Sequence, residues 1–253
     1  MKIKHLLCFI ALCLFFTPGK AQQLSVMTLR NGATVYIWED KSKPDVFGMI
    51  AFKVGSVDDP EQYTGLAHYL EHVMFKGTQT IDALDWEKEK PIYEKIIAKY
   101  DERAALSDPA AREAVDKEIN DLTREAAQYA AGNEFSLLVD HMGGQGLNAS
   151  TGYDQTEYHN SFPPSQLEKW LEIYSERLID PVFRGFQTEL EAVYEEYNMY
   201  NDDRGSRMRE FIYEQAFGDH PYARPIIGLP EHLKNPQLSK LIDFYNTWYG
   251  PQN

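Results

Sequence analysis

The 253-residue sequence predicts an α+β domain, a mixed and largely antiparallel sheet packed against helices, with an inserted helical hairpin. Three observations carry this expectation. Alternating apolar strands crowd the early part of the chain, helix-period runs fill most of the remainder, and few repeats, low-complexity tracts or flexible linkers divide the two.

The chain opens with Lys2 and Lys4, an apolar run from Leu6 to Phe16, and Thr17-Pro-Gly-Lys-Ala21, a small-residue cleavage signal. Residues 1–21 therefore read as an export signal peptide, and 22–253 as a periplasmic or secreted domain with no stable membrane span once the leader is cut. Cys13 is a poor lipid anchor, because apolar residues continue past it. Cys8 and Cys13 both lie in the leader, so the mature chain has no thiol, disulfide or cysteine ligand. Loss of Lys2, Lys4 and Lys20 takes the net charge from −14 to −17. So acidic a protein is a poor partner for nucleic acid.

Leu24 to Leu29 and Ala33 to Trp38 alternate about an Asn31-Gly32 turn, and Val46 to Val54 follows as a third strand. A helix begins near Gln62. Residues 83–131 are strongly charged; Ile92, Ile96, Ile97 and Tyr100 recur at helical spacing, as do Ala114, Ile119 and Leu122 less cleanly, with Pro91 and Pro109 marking breaks. This stretch is expected to form two antiparallel helices with a structural role, a substrate-gating role being the alternative. Beyond it come a polar strand over 146–159 and helices over 165–178, 188–200, 206–217 and 237–248.

The segment Gly65-Leu-Ala-His-Tyr-Leu-Glu-His-Val-Met-Phe-Lys-Gly77 carries most of the chemistry. On a helix, His68 and His72 share a face and can bind one metal ion, while Glu71, one turn from His68, can act as base on a metal-bound water. Leu66, Leu70 and Val73 form a separate apolar stripe, so the histidines have no packing role. The order H-x-x-E-H is that of the inverzincins. A catalytic zinc site needs a third protein ligand. The run Phe186 to Tyr200 offers Glu189 and Glu196 on its inward face, beside Ala192, Val193 and Tyr200, with Glu191 and Glu195 facing out. An inward carboxylate needs a partner, and a metal would supply one.

At this point the sequence resembles the insulinase-like, or M16, zinc endopeptidases, the family of pitrilysin and the mitochondrial processing peptidase. The resemblance runs through Leu29-Arg-Asn-Gly32, Gly65 to Thr78, Gly146-Leu-Asn-Ala-Ser-Thr151 with Tyr158, the E-x-x-A-V-x-x-E helix, His220-Pro-Tyr-Ala-Arg-Pro-Ile-Ile-Gly228 and Trp248-Tyr-Gly-Pro-Gln-Asn253. It implies the LuxS/MPP-like metallohydrolase fold and one Zn2+ per chain, bound by His68, His72 and Glu196. It also implies that Glu71 is the general base and that Glu189 supports the ligands from behind. Asn148, Ala149, Ser150 and Thr151 lie where the family's edge strand pairs with an extended peptide substrate. The interval from His72 to Glu196 exceeds the family's usual one, which implies the insertion at about 83–131. The family also continues into a second, similar domain, so the C-terminal end reads as truncated, with an M16-like half or partner subunit to complete it. Rival functions are a noncatalytic subunit of the same fold and a zinc hydrolase of a non-peptide substrate.

Overall fold

The computed structural model describes residues 24–253; the expected signal peptide and both cysteines lie outside the described residues. The chain divides into two compact units. The first holds the hairpin of β1 (Leu24–Thr28) and β2 (Thr34–Trp38), paired antiparallel from Leu24↔Trp38 to Thr28↔Thr34. Its turn is closed by Leu29 N–H donating to Ala33 C=O at 2.8 Å, with Asn31 Oδ1 accepting from Ala33 N–H.

The second unit, 45–251 with Asn253, is built on an antiparallel sheet of order β3-β5-β4: β3 (Val46–Phe52), β4 (Gln145–Thr151) and β5 (Thr156–Phe162). The expected single strand over 146–159 is in fact two, folded back through residues 152–155. Polar alternation continues across that turn, which hides the break. β5 lies in the middle and buries alternate residues, Thr156, Tyr158, Asn160 and Phe162. β4 is left at the edge, with an irregularity between Gln145 and Asn148. Against the buried face pack α1 (Leu66–Val73), through Leu66, Tyr69, Leu70 and Val73, and, later in the chain, the helix 167–179 through Trp170, Ile173 and Tyr174. Asn160 is buried yet satisfied, its Oδ1 accepting from Trp170 Nε1 (2.8 Å) and the Tyr174 hydroxyl (2.7 Å).

The charged segment forms α2 (Trp86–Ala105) and α3 (Pro109–Ala126), each started by an aspartate: Asp85 accepts from Lys88 N–H and Asp108 from Ala111 N–H. Pro109 sits in the first turn, where a missing N–H costs nothing. Pro91, by contrast, does not break the chain; α2 runs through it, although as the sixth helical residue it removes the N–H that would reach Glu87 C=O. Backbone pairing of Ala83 with Ala130 closes the base of the hairpin, helped by Leu84 N–H to Tyr129 C=O at 2.8 Å. Ile92, Ile96 and Tyr100 enter the core as expected, whereas α3 buries Val115 with Ile119 and leaves Ala114 exposed. Tyr100 meets the Phe186 ring edge-on at 4.8 Å, and Phe186 meets Tyr69 of α1 at 4.8 Å. The hairpin is thus tied into the core behind α1.

The remaining helices are α4 (Glu134–His141), which sequence periodicity did not reveal because it is only two turns long, α5 (Leu167–Ile179), α6 (Phe186–Asp202), α7 (Arg204–Phe217), the single turn α8 (Pro230–Leu233) and α9 (Leu238–Trp248). Among the described residues no helix is long and apolar enough to cross a membrane.

Candidate metal centre

Helix α1 is held at both ends by side chains from outside it. Its N-cap Gly65 has φ +89° and offers no side chain to cap the first N–H groups. Asp59 does so instead, accepting from Gly65 N–H (2.7 Å) and Ala67 N–H (2.9 Å). Burial, opposed by these two bonds, raises the Asp59 pKa to about 7. At the other end Arg177 of α5, fully buried, donates from Nε to Met74 C=O at 2.9 Å. Its guanidinium lies 4.2, 4.6 and 4.4 Å from the ring centres of Phe75, Phe135 and Tyr158. A cation at a helix C-terminus complements the helix dipole, and the rings supply favourable contact to a guanidinium that makes no direct ion pair.

Between these anchors His68 and His72 project together, their rings 4.8 Å apart and nearly perpendicular. Helix α6 brings Glu196 to both: its Oε2 lies 3.6 Å from His68 Nε2 and 3.5 Å from His72 Nε2. Donors bound to one tetrahedral ion at about 2.1 Å stand about 3.4 Å from each other. The two imidazole nitrogens and the carboxylate oxygen all fall within 4.8 Å of one another, and this donor set fits a divalent metal such as zinc. Glu189, two turns before Glu196, lies 3.6 Å from His72 Nδ1 and pairs with Lys76. Glu191 and Glu195 are exposed, as expected; Ala192 and Tyr200 are exposed as well, against the expected inward placement. The Tyr200 hydroxyl nevertheless turns back to Glu196.

The ionisation pattern is uneven. Burial, aided by the neighbouring His72, lowers His68 to about 4, so its imidazole is neutral and available as a ligand. For His72 burial acts downward, but Glu189, Glu196 and Glu71 outweigh it and raise the group to about 9. Contact with His72 holds Glu196 below the usual carboxylate range; Glu189 is also low, because His72 and Lys76 outweigh its burial. Glu71 goes the other way. Only 9 % exposed and outside the converging donor set, it is pushed up by burial against the opposing hydrogen bond from Thr151.

Of the four expected substrate-strand residues, Asn148 and Ser150 are exposed on the edge strand, Ala149 is buried toward the core, and Thr151 turns its hydroxyl to Glu71. Beside Glu196 opens a cleft of about 630 Å³ lined by Ala192, Met199, Tyr200, Asp203 and Ser206.

The family model for insulinase (peptidase family M16) matches residues 34–90 and 119–229, more than half of the chain. The chain belongs to the M16 family. The match omits 91–118, within the α2–α3 hairpin. This M16 chain is 25 % identical over 231 residues to zinc protease PqqE of Helicobacter pylori, an alignment covering 90 % of this chain and 41 % of that protein. A solved structure of a protease from Helicobacter pylori superposes with a TM-score of 0.68 at 23 % identity, over 92 % of this chain and 45 % of that one. The first half of the periplasmic protease PqqL from Escherichia coli gives 0.66 at 22 % identity, over 92 % and 42 %. The M16 chain spans less than half the length of each of these relatives.

Proposed function

We propose that this chain is the zinc-binding, catalytic half of an exported metalloendopeptidase that cleaves extended peptides or unfolded segments. The observation that carries the proposal is the convergence of His68, His72 and Glu196 at near-tetrahedral spacing, with the buried carboxylate of Glu71 beside them but outside the donor set. His68, His72 and Glu196 hold one zinc ion, and Glu189 steadies His72 through Nδ1. Bound there, zinc supplies a Lewis acid and lowers the pKa of water towards ~7. Glu71 takes the proton of the attacking water and returns it to the leaving amine; its raised proton affinity suits that exchange. The free edge of β4, at Asn148, Ala149, Ser150 and Thr151, pairs with the peptide backbone and selects extended chains over particular side chains.

The leader at 1–21 directs export, in keeping with a periplasmic neighbour of the same fold. A second M16-like half or partner subunit closes over the substrate, in keeping with relatives more than twice as long.

The deciding experiment is metal analysis of the purified mature chain. One zinc per chain is expected, with strong loss in Glu196→Gln and none in Glu195→Gln. Equal losses in the two variants would remove Glu196 from the ligand set. Zinc binding without zinc-dependent cleavage, even with the second half supplied, would make the chain a binding module.

A further inference from the structure

We propose that Thr151 is a positioning residue for the base: its hydroxyl aims the Glu71 carboxylate, so the strand that pairs with the peptide also orients the group that takes the water's proton. The inference rests on the zinc-peptidase reading and adds to it a role for a residue that the family resemblance implies only for the substrate strand.

Thr151 Oγ1 donates to Glu71 Oε2 at 2.6 Å. Among the described residues this is the only hydrogen bond to that carboxylate, and no lysine, arginine or histidine lies within ion-pair distance of it. With one lone pair of Oε2 engaged, Oε1 is the freer atom to receive a proton. Threonine is branched at Cβ, so the direction of its hydroxyl follows closely from the backbone.

That backbone is gripped from several sides. Thr151 ends β4 opposite Thr156, whose own hydroxyl donates to Val54 C=O at 2.9 Å. The turn that follows is closed by Gly152 N–H to Gln155 C=O at 2.7 Å. It is also bound by the loop after β3, where Ser56 N–H donates to Gly152 C=O and Val57 N–H to Tyr153 C=O, both at 3.1 Å. Only glycine permits this approach, because a Cβ on Gly55 would lie 2.4 to 2.5 Å from the Tyr153 and Gly152 carbonyl oxygens. The Tyr153 ring stacks on Tyr213 of α7 at 5.4 Å and against Tyr222 at 4.7 Å. The same loop runs on to Asp59, which caps α1. One short segment therefore sets both the hydroxyl and the helix that carries its carboxylate partner.

The test uses Thr151→Val, which keeps the shape and deletes the donor, and Thr151→Ser, which keeps the donor, each alone and combined with Glu71→Gln. Zinc content and steady-state cleavage of a quenched peptide over a range of concentrations are measured in the presence of the second half. Thr151→Val is expected to keep zinc and KM while kcat falls about 10- to 100-fold, the scale of a small misplacement of a reacting group; Thr151→Ser is expected to recover most of that loss. In the Glu71→Gln background Thr151→Val is expected to cost nothing further, since a positioning group has no effect once its target is gone. A crystal structure of the metal-free Thr151→Val protein supplies a readout independent of activity, in which the Glu71 carboxylate leaves its place beside β4. A raised KM at unchanged kcat, additive losses with Glu71→Gln, or an unmoved Glu71 would each overturn the proposal. If the wild-type protein binds no zinc, the peptidase reading fails, while the crystal comparison still decides whether Thr151 aims Glu71.

Discussion

The α2–α3 hairpin and the α1–α6 centre are both helical and both rich in charge, yet they use charge in opposite ways. In the hairpin, opposite charges meet: Lys99 with Glu102 and Glu118, Arg103 with Asp116, and the buried Glu89 with Arg184 at 2.6 and 2.8 Å. In the centre, two imidazoles and the Glu196 carboxylate converge at 3.5 to 3.6 Å, too long for hydrogen bonds and suited to an atom between them. Paired charge builds a scaffold. Convergent, incompletely paired charge marks a place where a further atom is needed.

The contrast is broken most severely at Glu71. Glu71→Gln is expected to retain zinc yet lose roughly three or more orders of magnitude in turnover when the second half is present; loss of zinc instead would make Glu71 a ligand. On the hairpin side, Arg184→Ala strands the Glu89 carboxylate, which is 2 % exposed, and is expected to cost about 3–5 kcal/mol in urea unfolding. Zinc stoichiometry is expected to stay at one, because the hairpin donates nothing to the metal; a parallel fall in zinc would mean that the two regions are not separable.

A pH-dependent effect is expected from Asp59. Its folded-state pKa is raised to about 7 from 3.8, so between those values the folded protein holds a proton that the unfolded chain has released. Stability therefore falls as pH rises from about 4 to about 7, by at most about tenfold in the unfolding constant per pH unit. Unfolding midpoints of wild type and Asp59→Asn across that window measure the difference, and identical slopes would count against it. Smallest of all, Lys99→Ala removes two surface pairs and is expected to change stability by about 1 kcal/mol or less; a larger loss in salt-free urea titrations would show that the hairpin pairs act as a network.

Legibility in the sequence followed the range of the interactions. His68, Glu71 and His72 lie within five residues, and Glu189 and Glu196 within eight, so one helical period exposes each group. The core stripe of α2 was readable for the same reason. The phase of α3 was not, because Ala114 and Val115 are adjacent and only packing decides which is buried. The hydroxyl of Thr151 reaches Glu71 across 80 positions. Asp59 acts on α1 from six to eight residues away and Arg177 from 103. No helical or strand period encodes such contacts, since they run between different elements and depend on how those elements pack. The turn at 152–155 was missed because it lacks an Asn-Gly or Asp-Gly pair of the kind that marked the first hairpin.

The antiparallel bridge between Ala83 and Ala130 has a practical consequence. Residues so paired stand only about 5 Å apart, so the two ends of a long excursion are delivered to the same spot. A tight turn of a few residues spans that gap, which makes the position a natural junction for shortening the domain or for grafting a foreign module. Excision alone would leave Phe186 without its Tyr100 neighbour. A shortened protein would therefore need a polar replacement on that newly wetted face to remain soluble.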